Sequence, residues 1–233
     1  MIVGHASRVT CLNSVEQNYL IDQGWVTPDH VEVVSHGVPP EFFLKERPPR
    51  QARTLLFVGQ WLPMKGATYL RDGFVELAHG HPDIRLICAG TLASAEAVLT
   101  DFPPVVRSRV QVVPRLARLA LVDLYQDADI MVAPSLYEGF GVALVEAMAA
   151  RLPIVTTRVG VAADALTDGE SALIIPTRHA PSIVREVDRL LADPALRERL
   201  GEAAADAAQH YREAAAVTDL ADRLMRVART RDS

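Results

Sequence analysis

Short apolar runs rich in β-branched residues alternate with longer stretches of helical period along the chain. The runs are residues 8–12 (RVTCL), 31–34 (VEVV), 54–59 (TLLFVG), 84–90 (IRLICAG), 109–113 (RVQVV), 129–134 (DIMVAP), 153–157 (PIVTT) and 172–176 (ALIIP). Several are apolar on both faces, the pattern of strands in a parallel sheet with helices on either side. The stretches ATYLRDGFVELAHG, LVDLYQDA, FGVALVEAMAA and SIVREVDRLLAD read as helices between them. Repeated βα alternation predicts an α/β fold, a doubly wound parallel sheet with right-handed crossovers.

The two ends depart from this rhythm. Residues 1–34 read as strand, helix, strand, with Ser14 as the helix N-cap, too little to form a core alone. Next comes HGVPPEFFLKERPPRQAR, with four prolines between Pro39 and Pro49. Proline fixes φ and favours extended chain, so this segment reads as an interdomain linker. From Asp193 the chain is helical, with Pro194 in a first turn and an amphipathic pattern at Val217, Leu220, Ala221, Leu224, Met225 and Ala228. The expected division is 1–38, a partial domain; 39–53, a linker; 54–192, the α/β domain; and 193–233, terminal helices.

Composition narrows the function classes. Hydrophobic residues make up 49% and charged residues 23%, which excludes a disordered or coiled-coil chain. The 24 basic against 29 acidic side chains argue against a nucleic-acid partner. Cys11 and Cys88 are too few for a disulfide framework and too far apart for a zinc cluster, which fits a reducing compartment. No apolar run approaches the roughly 20 residues of a membrane span. The start, MIVGHASRVTCL, lacks the pattern of a signal peptide. A cytoplasmic protein, able to lie peripherally at the inner membrane surface, is the expectation.

In a doubly wound sheet, ligands bind beyond the carboxyl ends of the strands. Four strand-to-helix junctions lie there. In GQWLPMKGATYL, Gly59 and Gln60 leave a strand and Lys65-Gly66 opens a helix, which suits a phosphate but equally a surface loop; it is not a Walker A sequence. In PSLYEGFGVALVEAMAA, Ser135, Glu138, Gly139, Phe140, Gly141, Val142 and Glu146 give two carboxylates at E-x7-E spacing around a glycine loop. A carboxylate at the helix mouth accepts sugar hydroxyls; the plainer reading of both is solvated charge. Gly90-Thr91 marks a third junction. Arg115-Leu116, a fourth, would line a base slot or simply connect two elements.

Other features read as structural. Asp127-Ala-Asp129 resembles a D-x-D metal motif but falls at the amino end of its strand, where solvation of the strand start explains it, so no metal site is expected. The Arg-rich end, RLMRVARTR, complements a helix dipole. None of the seven histidines pairs with a carboxylate and a nucleophile.

Taken together, the junctions resemble the donor-binding half of retaining glycosyltransferases with the GT-B fold, of the glycosyl transferases group 1 type. VEVVSHGVPPEFF looks like the family's N-G-V-x4-F junction, with His36 in place of Asn. LLFVGQWLPMKG looks like V-G-R-x4-K-G. LYQDADIMVAPSLYEGFGVALVEAMAARLPIVTTRVGVAADAL matches the family's most diagnostic stretch, and DGESALIIP the D-G-x2-G-x-L-V-x-P segment after it. The likeness spans about residues 6–211.

The resemblance implies roles. Lys65 would hold the donor diphosphate, Glu138 would contact the transferred sugar and Glu146 the ribose hydroxyls. The amides of Phe140, Gly141 and Val142 would face the sugar and β-phosphate, and Arg115 and Leu116 would frame the base. Lys65 and Glu138 are the expected catalytic pair. The donor would be a nucleotide diphosphate sugar, such as a UDP- or GDP-sugar, used with retention and without a metal or other cofactor. Gln60 stands where the family has Arg, which removes a cation unless Arg115 or Arg158 compensates. Residues 1–38 would be the remnant of an acceptor-side domain; the chain alone would transfer little sugar, and its exposed face would favour self-association or a partner. The acceptor is not readable. Two other readings are a non-catalytic nucleotide-sugar-binding or assembly subunit and a nonhydrolysing sugar-nucleotide epimerase, the latter disfavoured by E-G-F-G-x4-E-A.

Overall fold

A computed structural model describes residues 6, 8–48 and 50–229, so the linker's Pro49 and the last residues of the Arg-rich end lie outside the described residues. Eight strands form where the apolar runs predict them: β1 (Val9–Cys11), β2 (Val31–Val33), β3 (Thr54–Val58), β4 (Arg85–Ala89), β5 (Val110–Val113), β6 (Ile130–Ala133), β7 (Ile154–Thr157) and β8 (Leu173–Ile175). Between and after them run α1 (Ser14–Asp22), α2 (Ala67–Gly80), α3 (Ala95–Thr100), α4 (Pro104–Arg107), α5 (Arg118–Asp127), α6 (Val142–Ala149), α7 (Ala162–Ala165), α8 (Ala180–Ala192), α9 (Pro194–Ala208) and α10 (Glu213–Arg229).

β3 to β8 make one parallel sheet in the order β5-β4-β3-β6-β7-β8, and β1 pairs with β2 in a separate parallel pair. In chain order the large sheet runs 3-2-1-4-5-6, the doubly wound arrangement whose direction reverses between its first and fourth strands. That switch point lies between β3 and β6. The sheet separates two cores. Leu55, Phe57, Ile130 and Val132 pack with Leu70, Phe74, Ile183 and Val187 of α2 and α8. Leu56 and Met131 pack with Tyr125, Leu144 and Met148 of α5 and α6. Alternate residues of each strand serve opposite layers, which is why these strands are apolar on both faces.

Three expectations change. The N-cap of α1 is Asn13, whose side chain accepts from the Glu16 amide at 2.9 Å, and Ser14 is the first helical residue. The proline-rich segment, read as extended chain, carries a 3-10 turn at Pro40–Phe42 and is fastened to the helices beside it. Phe42 is buried against Tyr125, and Arg47 donates to the carbonyls of Tyr125, Gln126, Ala128 and Ala150, which closes the ends of α5 and α6. Asp129 is not a solvated strand start. It is buried, accepts from the amides of Arg53 and Thr54 at 2.8 and 2.9 Å, and pairs with Arg50. Asp129→Ala would leave two inward amides without an acceptor, so we expect a loss of about 2–3 kcal/mol, read as a lower urea midpoint; an unchanged midpoint would refute this role.

β1, α1 and β2 are tied to the rest through α10, where Arg223 pairs with Glu32 at 2.7 Å. The stripe read as amphipathic leaves Val217, Leu220, Leu224 and Met225 exposed. Among the described residues, no helix is long and apolar enough to cross a membrane.

Candidate functional site

At the switch point two loops leave the sheet side by side. One runs from Val58 through Gly59 and a 3-10 turn (Pro63–Lys65) into α2; the other runs from Ala133 through Glu138 into α6. They are joined backbone to backbone, the Leu136 amide donating to the Met64 carbonyl at 2.8 Å. Gly66 makes this approach possible. Its φ is +75°, and a Cβ there would lie 2.1 Å from the Pro134 carbonyl oxygen. Gly160 meets the same loop from below: a Cβ on it would fall 2.5 Å from the Phe140 oxygen.

The loops enclose a cleft of about 550 Å³. Its walls include Gly59, Gln60, Lys65, Gly90, Ser135, Glu138, Gly139, Gly141 and Val142, all expected from the sequence. Both helices at its mouth begin at a glycine, Gly66 or Gly141, with no side-chain cap. Their amino ends carry partial positive charge. Across the cleft Lys65 Nζ donates to Glu138 Oε2 at 2.6 Å, and Ser135 Oγ donates to Glu138 Oε1 at 2.8 Å. The two charged side chains are 25% and 19% exposed, so both remain within reach of a ligand. Such a site offers a cation, uncapped helix ends and a carboxylate: donors for an anion beside an acceptor for hydroxyls.

Other expected residues sit behind this surface. Thr91 is buried with its hydroxyl on the Ala93 carbonyl. Phe140 is buried, its ring against His36 and Tyr211 and its carbonyl holding the Val161 amide at 2.7 Å. Arg115 and Leu116, on the β5–α5 loop, do not line the cleft, and Leu116 packs into the core beside α5. Arg158 is exposed and also off the wall. Lys65 is therefore the cation of the described lining residues, and neither Arg115 nor Arg158 is among them.

Glu146, on α6 and half-buried, is not among the described lining residues. Its Oε2 is 2.9 Å from the hydroxyl of Tyr125, which is also 2.9 Å from the Ala143 carbonyl. Burial pushes the Glu146 carboxyl up to about 7, while the Tyr125 hydrogen bond and the Arg118 charge pull it down. Burial and the neighbouring Glu146 push the Tyr125 phenol well above its ordinary value.

Several contributors escaped the sequence reading. Met64, Leu92, Tyr137, Thr156 and Val159 also line the cleft. Leu92 follows the Gly90-Thr91 junction with φ +56°, a conformation its side chain gives no reason to expect. The amino-terminal unit touches the glycine loop directly. Asn13 donates to the Gly139 carbonyl, and Tyr137 donates to Glu16 at 3.1 Å. Behind the loop, the Ser14 amide donates to Asp164 at 2.9 Å. Nothing in residues 8–34 marks these contacts beforehand, because a two-residue meeting across so much sequence carries no local signal.

The family of glycosyl transferases group 1 matches residues 40–207. A D-inositol 3-phosphate glycosyltransferase of Corynebacterium aurimucosum is 31% identical over 240 residues, covering 94% of this chain and 56% of its own length. The chain thus spans about half the length of the curated relatives it matches. Sucrose-phosphate synthase of Thermosynechococcus elongatus superimposes with a TM-score of 0.82 at 22% identity, over 98% of this chain and 60% of that one. The Anabaena protein Alr3699/HepE, in complex with UDP and glucose, superimposes with a TM-score of 0.79 at 18% identity, over 94% and 63%. Both structural likenesses establish the fold.

Proposed function

The chain belongs to the glycosyl transferases group 1 family, and from that premise we propose that its cleft binds a nucleotide diphosphate sugar and supplies the donor half of a retaining sugar transfer. The observation that carries this reading is the Lys65–Glu138 pair, set at the switch point between two uncapped helix ends. Without ligand the two charges neutralise each other. A diphosphate would take Lys65, with the helix ends beneath it, and so release Glu138 to accept from the sugar's hydroxyls. Charge developing on the departing diphosphate would then be met by donors already in place, which is how such a site lowers a barrier without a metal. Glu146 would take the ribose hydroxyls, and Gln60 would give phosphate an amide donor but no charge. The Anabaena neighbour holds UDP and glucose, which supports a nucleoside diphosphate as the ligand class. Residues 54–192 would form the donor-binding domain, with 1–38 as part of an acceptor-side domain, 39–53 linking them and 193–233 adding the terminal helices.

Calorimetry of the whole chain with UDP-glucose, GDP-mannose and ADP-glucose tests this. We expect one of them to bind with a dissociation constant on the order of 10 μM to 1 mM. Absence of heat with all three, and with UDP, GDP and ADP, at millimolar concentration would sink the reading.

A further inference from the structure

The hydroxyl of Tyr125 has one proton and two neighbours that want it. The Ala143 carbonyl can only accept, and Glu146 Oε2 lies at the same 2.9 Å distance. Both hydrogen bonds form together only when the carboxyl supplies the second proton: Glu146 donates to the phenol oxygen, and the phenol donates to Ala143. When Glu146 ionises, the phenol turns its proton from Ala143 to the carboxylate, and the stronger, charge-assisted bond formed there holds the carboxyl down against the pull of burial. Tyr125 is completely buried, its ring edge-on to Phe42, so its hydroxyl is held between these two partners.

We propose that Tyr125 is a positioning residue for the donor site, whose buried hydroxyl governs whether Glu146 stands as a carboxylate able to accept ribose hydroxyls or as a neutral acid bound back to the protein. The proposal rests on Glu146 contacting the donor, as set out above. Among the described residues, Tyr125 and Arg118 are the titratable and charged groups that act on Glu146. Arg118 and Tyr125 come from α5, and Glu41, on the 3-10 turn at Pro40–Phe42, faces Arg118 at 3.3 Å. From α9, Glu202 is turned to Arg151 at 3.3 Å, and the buried Ala204 and Ala208 share the core with α6. The carboxyl's displaced titration, to about 7, agrees with this enclosure.

The sign follows. A carboxyl raised to about 7 is an acid below that pH and a carboxylate above it. Ribose hydroxyls are accepted by the carboxylate, so donor affinity rises with pH through about 7 and falls below it. Nucleotide sugars have no group of their own titrating there, which makes them the right probes.

Two measurements decide the matter. The first needs no ligand: carbon-detected NMR of the glutamate carboxyls in the whole chain, with Glu146 assigned by its loss in E146Q. The Glu146 midpoint is expected near 7. It should move up in Y125F, which removes the donor that supports the carboxylate, and down on incorporation of 3-fluorotyrosine, a stronger donor. A midpoint in the ordinary glutamate range, or one indifferent to the phenol, overturns the proposal. Should Y125F not fold, the 3-fluorotyrosine chain carries the comparison. The second is calorimetry with UDP-glucose, GDP-mannose and ADP-glucose at pH 6, 7 and 8. For the probe that binds, affinity should rise about tenfold from pH 6 to 8 in the native chain, stay flat in E146Q, and rise at higher pH in Y125F. An equal loss at every pH in Y125F would mean a packing role only and would refute the assignment. If no probe binds, the functional reading fails, while the NMR midpoints still judge Tyr125.

Discussion

Replacing Lys65 with alanine is expected to weaken nucleoside diphosphate binding by about 100-fold while leaving the fold intact. A charge-assisted hydrogen bond contributes about 1.5–3 kcal/mol, roughly 10- to 150-fold, and two features place this site toward the upper end. Lys65 is the cation of the described cleft lining, because the neighbouring position is Gln60 and both Arg115 and Arg158 lie off the wall. Removing it also leaves Glu138, only 19% exposed, with Ser135 as its partner and a bare negative charge facing the incoming diphosphate. The second effect can be separated from the first. Glu138→Gln in the Lys65→Ala background should recover part of the affinity, since it removes repulsion without restoring a cation. Stability should fall by about 1–2 kcal/mol, because the pair is largely buried and Glu138 keeps the Ser135 hydroxyl. Calorimetry of the two variants beside a urea melt checks all three statements. A loss smaller than threefold in Lys65→Ala would mean that the helix ends, not the lysine, hold the phosphates.

The layers of this fold were legible because their physics is local. Leu55, Leu56 and Phe57 are consecutive and apolar, and both faces of β3 are covered; that combination is readable as a buried parallel strand without any partner in view. The glycines of the loops between strand and helix, Gly59 and Gly66 in one and Gly139 and Gly141 in the other, locate the switch-point loops for the same reason. The Lys65–Glu138 meeting is different. Each residue was identifiable as a site candidate, but their neutralising one another depends on Gly66 admitting the Pro134 carbonyl, a contact between neighbouring strands' loops that lie far apart in the sequence. Asp129 shows how a correct position can carry a wrong role. Its place at a strand start was readable, whereas its burial depends on Arg50 folding back from a proline-rich segment that reads as extended chain. Tyr125 gave no signal at all. A tyrosine on the inward face of a helix reads as core, and only the three-dimensional neighbours of its hydroxyl separate filling from function. The relation between residues 8–34 and the glycine loop was equally hidden, since Asn13 caps its own helix and reaches Gly139 with the same side chain.

Gly66→Ala is expected to be strongly destabilising for a change of one methyl group. Two costs combine there. The backbone sits at φ +75°, a left-handed conformation that costs a residue with a Cβ about 1–2 kcal/mol. The new methyl would also meet the Pro134 carbonyl oxygen at 2.1 Å and its carbon at 2.7 Å, both backbone atoms that cannot swing aside as a side-chain end would. Relief requires the β6–α6 loop to move away from α2, which breaks the Leu136–Met64 hydrogen bond and separates Glu138 from Lys65. We therefore expect a loss of about 3 kcal/mol or more, with donor binding lost in any fraction that folds. Gly24 is the matched control. Its φ of +65° imposes nearly the same backbone cost, but nothing lies within 4 Å of where its Cβ would be. Gly24→Ala should cost only about 1–2 kcal/mol and spare binding. The difference in urea midpoint between the two variants measures the close approach of the loops alone. Equal midpoints would mean that the loops part easily, and that the tight junction at Pro134 is not what sets the spacing of the two charges.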